Sequence, residues 1–199
     1  MGQQRQRIIV VAGTGVAGFM AGTVYAPLAN ALEAEVETLN GLGFAHTMRS
    51  VETLTKHIER GGVQVTLVGH SQGGLVAALI ASQRPELVST VVTLGAPLAG
   101  TTLCSLVDPL SGLRCMSRGS RLLGKLRPSA RMHNVVGTAD HLVVPYQSGL
   151  LPGAHHYVMD GVSHTGLIYN HETIQLVSEI TQARTDTPAA PGARHLVAA

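Results

Sequence analysis

The sequence predicts an α/β fold: a doubly wound, mostly parallel sheet with helices on both faces. Three observations predict it. Short apolar, β-branched runs such as Ile8 to Val11, Val63 to Val68 and Val88 to Leu94 alternate with segments of helical spacing. Glycine-rich or glycine–proline turns close the runs at Gly13, Gly69 and Gly95. The chain has 199 residues, 45% apolar and 13% charged, enough for one domain with a sizeable core.

Ile8-Ile9-Val10-Val11 reads as a buried strand, closed by Gly13-Thr14-Gly15-Val16-Ala17-Gly18. The G-x-G-x-x-G spacing also fits a dinucleotide fingerprint, with Glu35 or Glu37 near the place of its acid, although the later chain supplies another use for the loop. Tyr25 to Ala34 reads as a helix with Pro27 near its start, and Glu35 to Leu39 as a half-exposed strand. Met48, Val51, Leu54, Thr55 and Ile58 recur at helical spacing over residues 47–60, and Gly61-Gly62 ends that helix. A strand over Val63 to Val68 leads through a tight turn into a helix that stops before Pro85. Val88 to Leu94, Met132 to Gly137 and Tyr157 to Met159 are further strands, and Leu167 to Ala183 is a long amphipathic helix through Ile168, Ile174, Val177 and Ile180. One domain over residues 1–184 is expected, with an insert at about 100–129, and the Ala/Pro-rich tail over 185–199 reads as disordered.

The insert is the least regular stretch. Leu103, Leu106, Val107, Leu110 and Leu113 come at three- to four-residue steps, broken by Pro109 and Gly112. Arg114, Arg118, Arg121 and Lys125 then stripe one helical face, and no acid lies between Arg114 and Arg131. Two readings stay open: a solvated helix packed by Leu122, Leu123 and Leu126, or else a mobile cover or a basic surface making weak contact with an anionic membrane. The net charge of +2 gives no general attraction to nucleic acid, and no nucleic-acid partner is expected. Cys104 and Cys115 would pair in an exported chain and stay thiols in a cytosolic one. Arg5 and Arg7 before an apolar stretch imitate a signal peptide, but cleavage after Ala26 would remove the first core strand. A cytoplasmic location is therefore expected, with secretion the alternative.

The chemistry centres on Gly69-His70-Ser71-Gln72-Gly73-Gly74, a G-x-S-x-G turn between a strand and a helix. That context is a nucleophile elbow, which lifts the serine oxygen above the sheet edge. A serine hydroxyl needs a base, and the base needs an acid to fix its tautomer. Asp140, after the strand ending at Gly137, and His164, after the strand around Tyr157, follow Ser71 in the order serine, acid, histidine. Asp160 is the second choice of acid, and His70, beside the nucleophile, reads as a packing residue. The oxyanion needs two backbone N–H donors. Gln72, at the start of the elbow helix, supplies one, and Thr14 in the early glycine loop the other. Leu98, Leu142 and Val143 are expected acyl-binding walls. No histidine pair has the spacing of a helical zinc motif, and no metal is expected.

These segments resemble the α/β-hydrolase superfamily, in particular its small bacterial lipases and esterases. The resemblance runs from Ile8 to about Ile180, through the elbow, Val92 to Pro97, Thr138-Ala139-Asp140 with Val143-Val144-Pro145, and Gly161 to Leu167. It implies the α/β-hydrolase fold and hydrolysis of carboxylic esters, lipid or small-molecule, through an acyl-enzyme, with no cofactor; a monomer is expected. Such lipases carry His-Gly before the oxyanion residue, where this chain has Ala12-Gly13, so an imidazole that braces the loop is missing. A thioesterase or acyltransferase would use the same three residues, and a non-catalytic binding module would keep only the scaffold.

Overall fold

A computed structural model describes residues 6–39, 47–105, 112–183 and 193–197. The strands are β1 (Arg7–Val11), β2 (Glu35–Glu37), β3 (Val65–His70), β4 (Val88–Leu94), β5 (Met132–Gly137), β6 (His155–Asp160) and β7 (Ala193–Val197). They form one sheet in the order β2-β1-β3-β4-β5-β6-β7, with every pairing parallel. The helices are α1 (Gly18–Val24), α2 (Ala26–Leu32), α3 (Thr47–Gly61), α4 (Gln72–Gln83), α5 (Thr102–Ser105) and α6 (His171–Gln182).

Alternation along the strands builds two cores. Ile9 and Val11 of β1, Val65 and Leu67 of β3 and Val91 of β4 face one side, where they meet α3 and α4. Val10, Val68, Val92 and Leu94 face the other, where Leu28 and Leu32 of α2 and Leu176, Val177 and Ile180 of α6 cover them. Parallel strands buried on both faces need apolar side chains on both, which is why β1 reads as a continuous apolar run from Ile8 to Val11. Helix α4 is buried from Gln72 to Ile80, because it lies between the sheet and α3. Helix α3 is the outer layer and buries one face, with Thr47 and Ser50 at its start and the apolar stripe Val51, Leu54 and Ile58.

Several elements differ from expectation. Helix α1 occupies Gly18–Val24, a stretch whose glycines hide its helical character. The last helix starts at His171, not Leu167; Asn170 caps it by accepting from Thr173 N at 2.9 Å, and a short 3₁₀ turn covers Gly166–Ile168 instead. The cation-bearing stretch of the insert is not a helix. It forms 3₁₀ turns at Gly112–Met116 and Leu123–Lys125, separated by Gly119 at φ 77°. Leu122 and Leu126 are buried under it as expected, while Leu106, Val107 and Leu110 lie outside the described residues. In the tail expected to be disordered, Ala193–Val197 adds β7 to the open edge of β6, through backbone hydrogen bonds that composition does not foretell. Among the described residues no helix is long and apolar enough to cross a membrane.

Leu79 is fully enclosed between the sheet and α3. Leu79→Ala should lower the unfolding free energy by about 2–5 kcal/mol, measured by urea denaturation.

Candidate active site

Parallel register collects the loops that matter. Val11 is level with Gly69, His70 with Leu94, Leu94 with Val135, and Gly137 with Met159. The segments after β1, β3, β4, β5 and β6 therefore leave the sheet at one edge, the carboxyl ends of the strands. Between β1 and β3 the chain reverses its direction of travel across the sheet, and in open α/β sheets the binding crevice lies at such a reversal.

Ser71 stands at that point, between β3 and α4, with φ 55° and ψ −125°. Positive φ is unusual for a non-glycine residue and stores about 1–3 kcal/mol of strain. The neighbours hold it there. Ser71 N donates to Leu94 O at 2.8 Å, tying the turn to β4. A Cβ on Gly69 would stand 2.5 Å from Gly74 Cα, and one on Gly73 would fall on the carbonyl oxygens of Val11 and Ala12. Both glycines are needed for space, since α4 turns back against β3 and β1 without a gap.

Asp140 and His164 are brought together. His164 Nδ1 lies 2.7 Å from Asp140 Oδ2, and both side chains are buried. The other carboxylate oxygen of Asp140 accepts from the N–H groups of Leu142 and Val143, each at 2.8 Å. Burial alone would push the Asp140 carboxyl up; the hydrogen bonds from His164, Val143 and Leu142 outweigh it and hold it below the usual carboxylate range. An ionised Asp140 fixes the proton of His164 on Nδ1 and leaves Nε2 as the acceptor. Asp160, the second choice of acid, is exposed and accepts from Thr138 Oγ1 at 2.8 Å.

Further residues make this arrangement rigid. A Cβ on Gly95 would lie 3.0 Å from Asp140 Oδ2 and 3.1 Å from His164 Nδ1, so the turn after β4 packs directly on the pair. Ala139 N donates to Val162 O at 3.2 Å, locking the aspartate loop to the histidine loop. Thr101, at the root of the insert, donates from Oγ1 to Leu142 O at 2.8 Å and accepts from Val144 N at 3.1 Å. No motif in the sequence points to Thr101, because its partners are 41 and 43 residues away in the chain.

Thr14 and Gln72, the two expected oxyanion residues, also meet: Thr14 Oγ1 donates to Gln72 Oε1 at 2.6 Å. Gln72 Nε2 donates in turn to Thr47 Oγ1 at 2.9 Å, anchoring the pair to α3. The three expected acyl walls fare differently. Leu98 is 1% exposed and belongs to the core beneath α4, and Val143 is 3% exposed, whereas Leu142, 46% exposed, presents an open apolar surface. A cavity of about 390 Å³ lies at the other end of β1, lined by Gln6, Arg7 and Ile8, and so away from Ser71. The glycine loop after β1 packs on the elbow, where a Cβ on Gly13 would lie 3.1 Å from Ser71 Cβ. Glu35 and Glu37 cluster with His57 instead, and Arg7 bridges Glu35 at 2.9 Å.

His70 is a buried histidine that sequence reasoning set aside as packing. Burial, and then the adjacent His164, push its pKa down to about 3. Burial, with the stacked His155, likewise lowers His133 to about 4. In the unfolded chain both titrate near 6.5. As pH falls below that value the unfolded state binds protons that the folded state refuses, so stability present above about pH 6.5 is lost toward about pH 3. Urea midpoints should fall from about pH 7 to about pH 4.5, with a shallower slope in His70→Gln, which cannot titrate.

A sequence model of the alpha/beta hydrolase fold matches residues 26–111. No curated protein matches the chain in sequence. Among solved structures, Aspergillus fumigatus lipase B superposes with a TM-score of 0.72 at 18% identity, covering 96% of this chain and 58% of that one. This chain thus spans little more than half the length of that lipase. An alpha/beta hydrolase enzyme from a lagoon-sediment metagenome gives 0.62 at 20% identity, covering 90% and 92%. A monoacylglycerol lipase of Paleococcus ferrophilus gives 0.57 at 14% identity, covering 89% and 95%. At these identities the likeness establishes the fold.

Proposed function

We propose that this chain, an α/β hydrolase by fold, is a serine hydrolase that cleaves carboxylic esters through an acyl-enzyme. The observation that carries the reading is the buried Asp140–His164 pair at 2.7 Å, held at the sheet edge where the elbow strains Ser71. In the proposed mechanism Ser71 Oγ attacks the ester carbonyl while His164 Nε2 takes its proton. Asp140 keeps His164 in the required tautomer and stabilises the imidazolium as it forms. The tetrahedral oxyanion is received by the N–H groups of Gln72 and Thr14, the first aided by the amino end of α4. Collapse expels the alcohol, which takes the proton from His164, and water repeats the sequence to release the acid.

A fluorophosphonate probe should label the wild type and leave Ser71→Ala unlabelled. Asp140→Asn should keep the fold and lower kcat about 10⁴-fold by supporting the wrong tautomer. Labelling of Ser71→Ala at another residue, or near-normal turnover by Asp140→Asn, would overturn the assignment.

For the acyl group we favour short or medium chains. Among the described residues the insert contributes only α5 and short 3₁₀ turns, and Leu142 and Val144 are exposed apolar side chains in the loop after Asp140. Nitrophenyl esters of increasing chain length should therefore give their highest kcat/KM at short to medium acyl groups. A maximum on long-chain, emulsified esters would reverse this. Thioesters of the same acyl groups, run alongside, separate an esterase from a thioesterase.

A further inference from the structure

Tyr25 and His70 form a buried chain of hydrogen bonds that the proposed mechanism leaves unused. Tyr25 precedes α2 and is 1% exposed; His70 is the last residue of β3 and is 6% exposed. Gly13 N donates to Tyr25 Oη at 2.7 Å, Tyr25 Oη lies 2.8 Å from His70 Nδ1, and His70 Nε2 lies 3.1 Å from the carbonyl oxygen of His164.

Donor and acceptor chemistry orders these contacts. The His164 carbonyl can only accept, so His70 carries its proton on Nε2. Nδ1 of a neutral imidazole is then an acceptor, and the Tyr25 hydroxyl donates to it. The Tyr25 oxygen keeps a lone pair for Gly13 N–H. Protonating His70 would turn Nδ1 into a donor and leave the Tyr25 proton without an acceptor, so the chain holds only with a neutral ring. The His70 and His164 rings also lie against each other, with centroids 4.7 Å apart.

The chain joins the loop that carries Thr14, the residue beside Ser71, and the backbone of His164. We infer that Tyr25 and His70 are positioning residues of the hydrolase, setting the Gly13–Thr14 backbone and His164 at fixed places around Ser71. Neither touches substrate. The inference rests on the Ser71, His164 and Asp140 reading.

Tyr25→Phe keeps the ring and removes the hydroxyl, leaving Gly13 N–H and His70 Nδ1 unpaired. With an ester substrate its kcat should fall about 10- to 100-fold with KM nearly unchanged, and its rate of fluorophosphonate labelling should fall in parallel. His70→Asn, whose amide oxygen can take the place of Nδ1, should retain more activity than His70→Phe, which breaks both arms. An unchanged kcat in a folded Tyr25→Phe enzyme, or equal activities of the Asn and Phe variants, would overturn the inference. If Tyr25→Phe does not fold, the comparison at His70 decides alone. Nitrogen NMR of the wild type, with no substrate present, should show His70 as the Nε2–H tautomer; the Nδ1–H tautomer would overturn the relay. Absence of labelling in the wild type, with that tautomer in place, would instead locate the failure in the hydrolase reading.

Discussion

Helix α4 can begin at Gln72 because Gly69, Gly73 and Gly74 let backbones meet where side chains would collide. Gly73 presses on the carbonyls of Val11 and Ala12, Gly69 on the first turn of α4, and Gly74 on Ala96. Strands β1, β3 and β4 are thereby packed against the start of one helix. The cost is a serine at positive φ. What holds Ser71 there is enclosure: α4 is buried along most of its length, so the turn cannot relax without unpacking the core.

The same tight approach explains how a small fold gathers distant parts of the chain at one edge of the sheet. The turns at the carboxyl edge are tied to one another by backbone or side-chain hydrogen bonds. Ser71 is tied to β4, Gly95 N to Val135 O, Ala139 N to Val162 O, and the loop after Asp140 to Thr101. Registration by parallel pairing brings the loops together, and these links set their separations. Burying Asp140 costs solvation, which its three hydrogen bonds offset, so its charge is kept where it can orient His164.

The histidine beside Ser71 illustrates how a deeply buried polar group stays neutral. His70 and Tyr25 satisfy each other and two backbone groups, and they introduce no second charge next to Asp140 and His164. A charged group at that depth would compete with the imidazolium that the proposed reaction forms.

By itself the sequence determined the alternation of strands and helices, the elbow and the order of serine, acid and histidine. Those signals are local: apolar periodicity, glycines around one serine, and polar residues just past strand ends. It also brought Thr14 and Gln72 forward, each as an expected backbone donor near Ser71. Only the tertiary structure shows that Asp140 is bonded to His164 while Asp160 is bonded to Thr138, although both acids come at or just after the end of a strand. It likewise moved Leu98 into the core, broke the cationic stripe into 3₁₀ turns, added β7, and revealed Thr101, Tyr25 and His70. These depend on contacts between residues far apart in the chain, and a linear pattern holds no record of which distant backbone a hydroxyl or imidazole will meet.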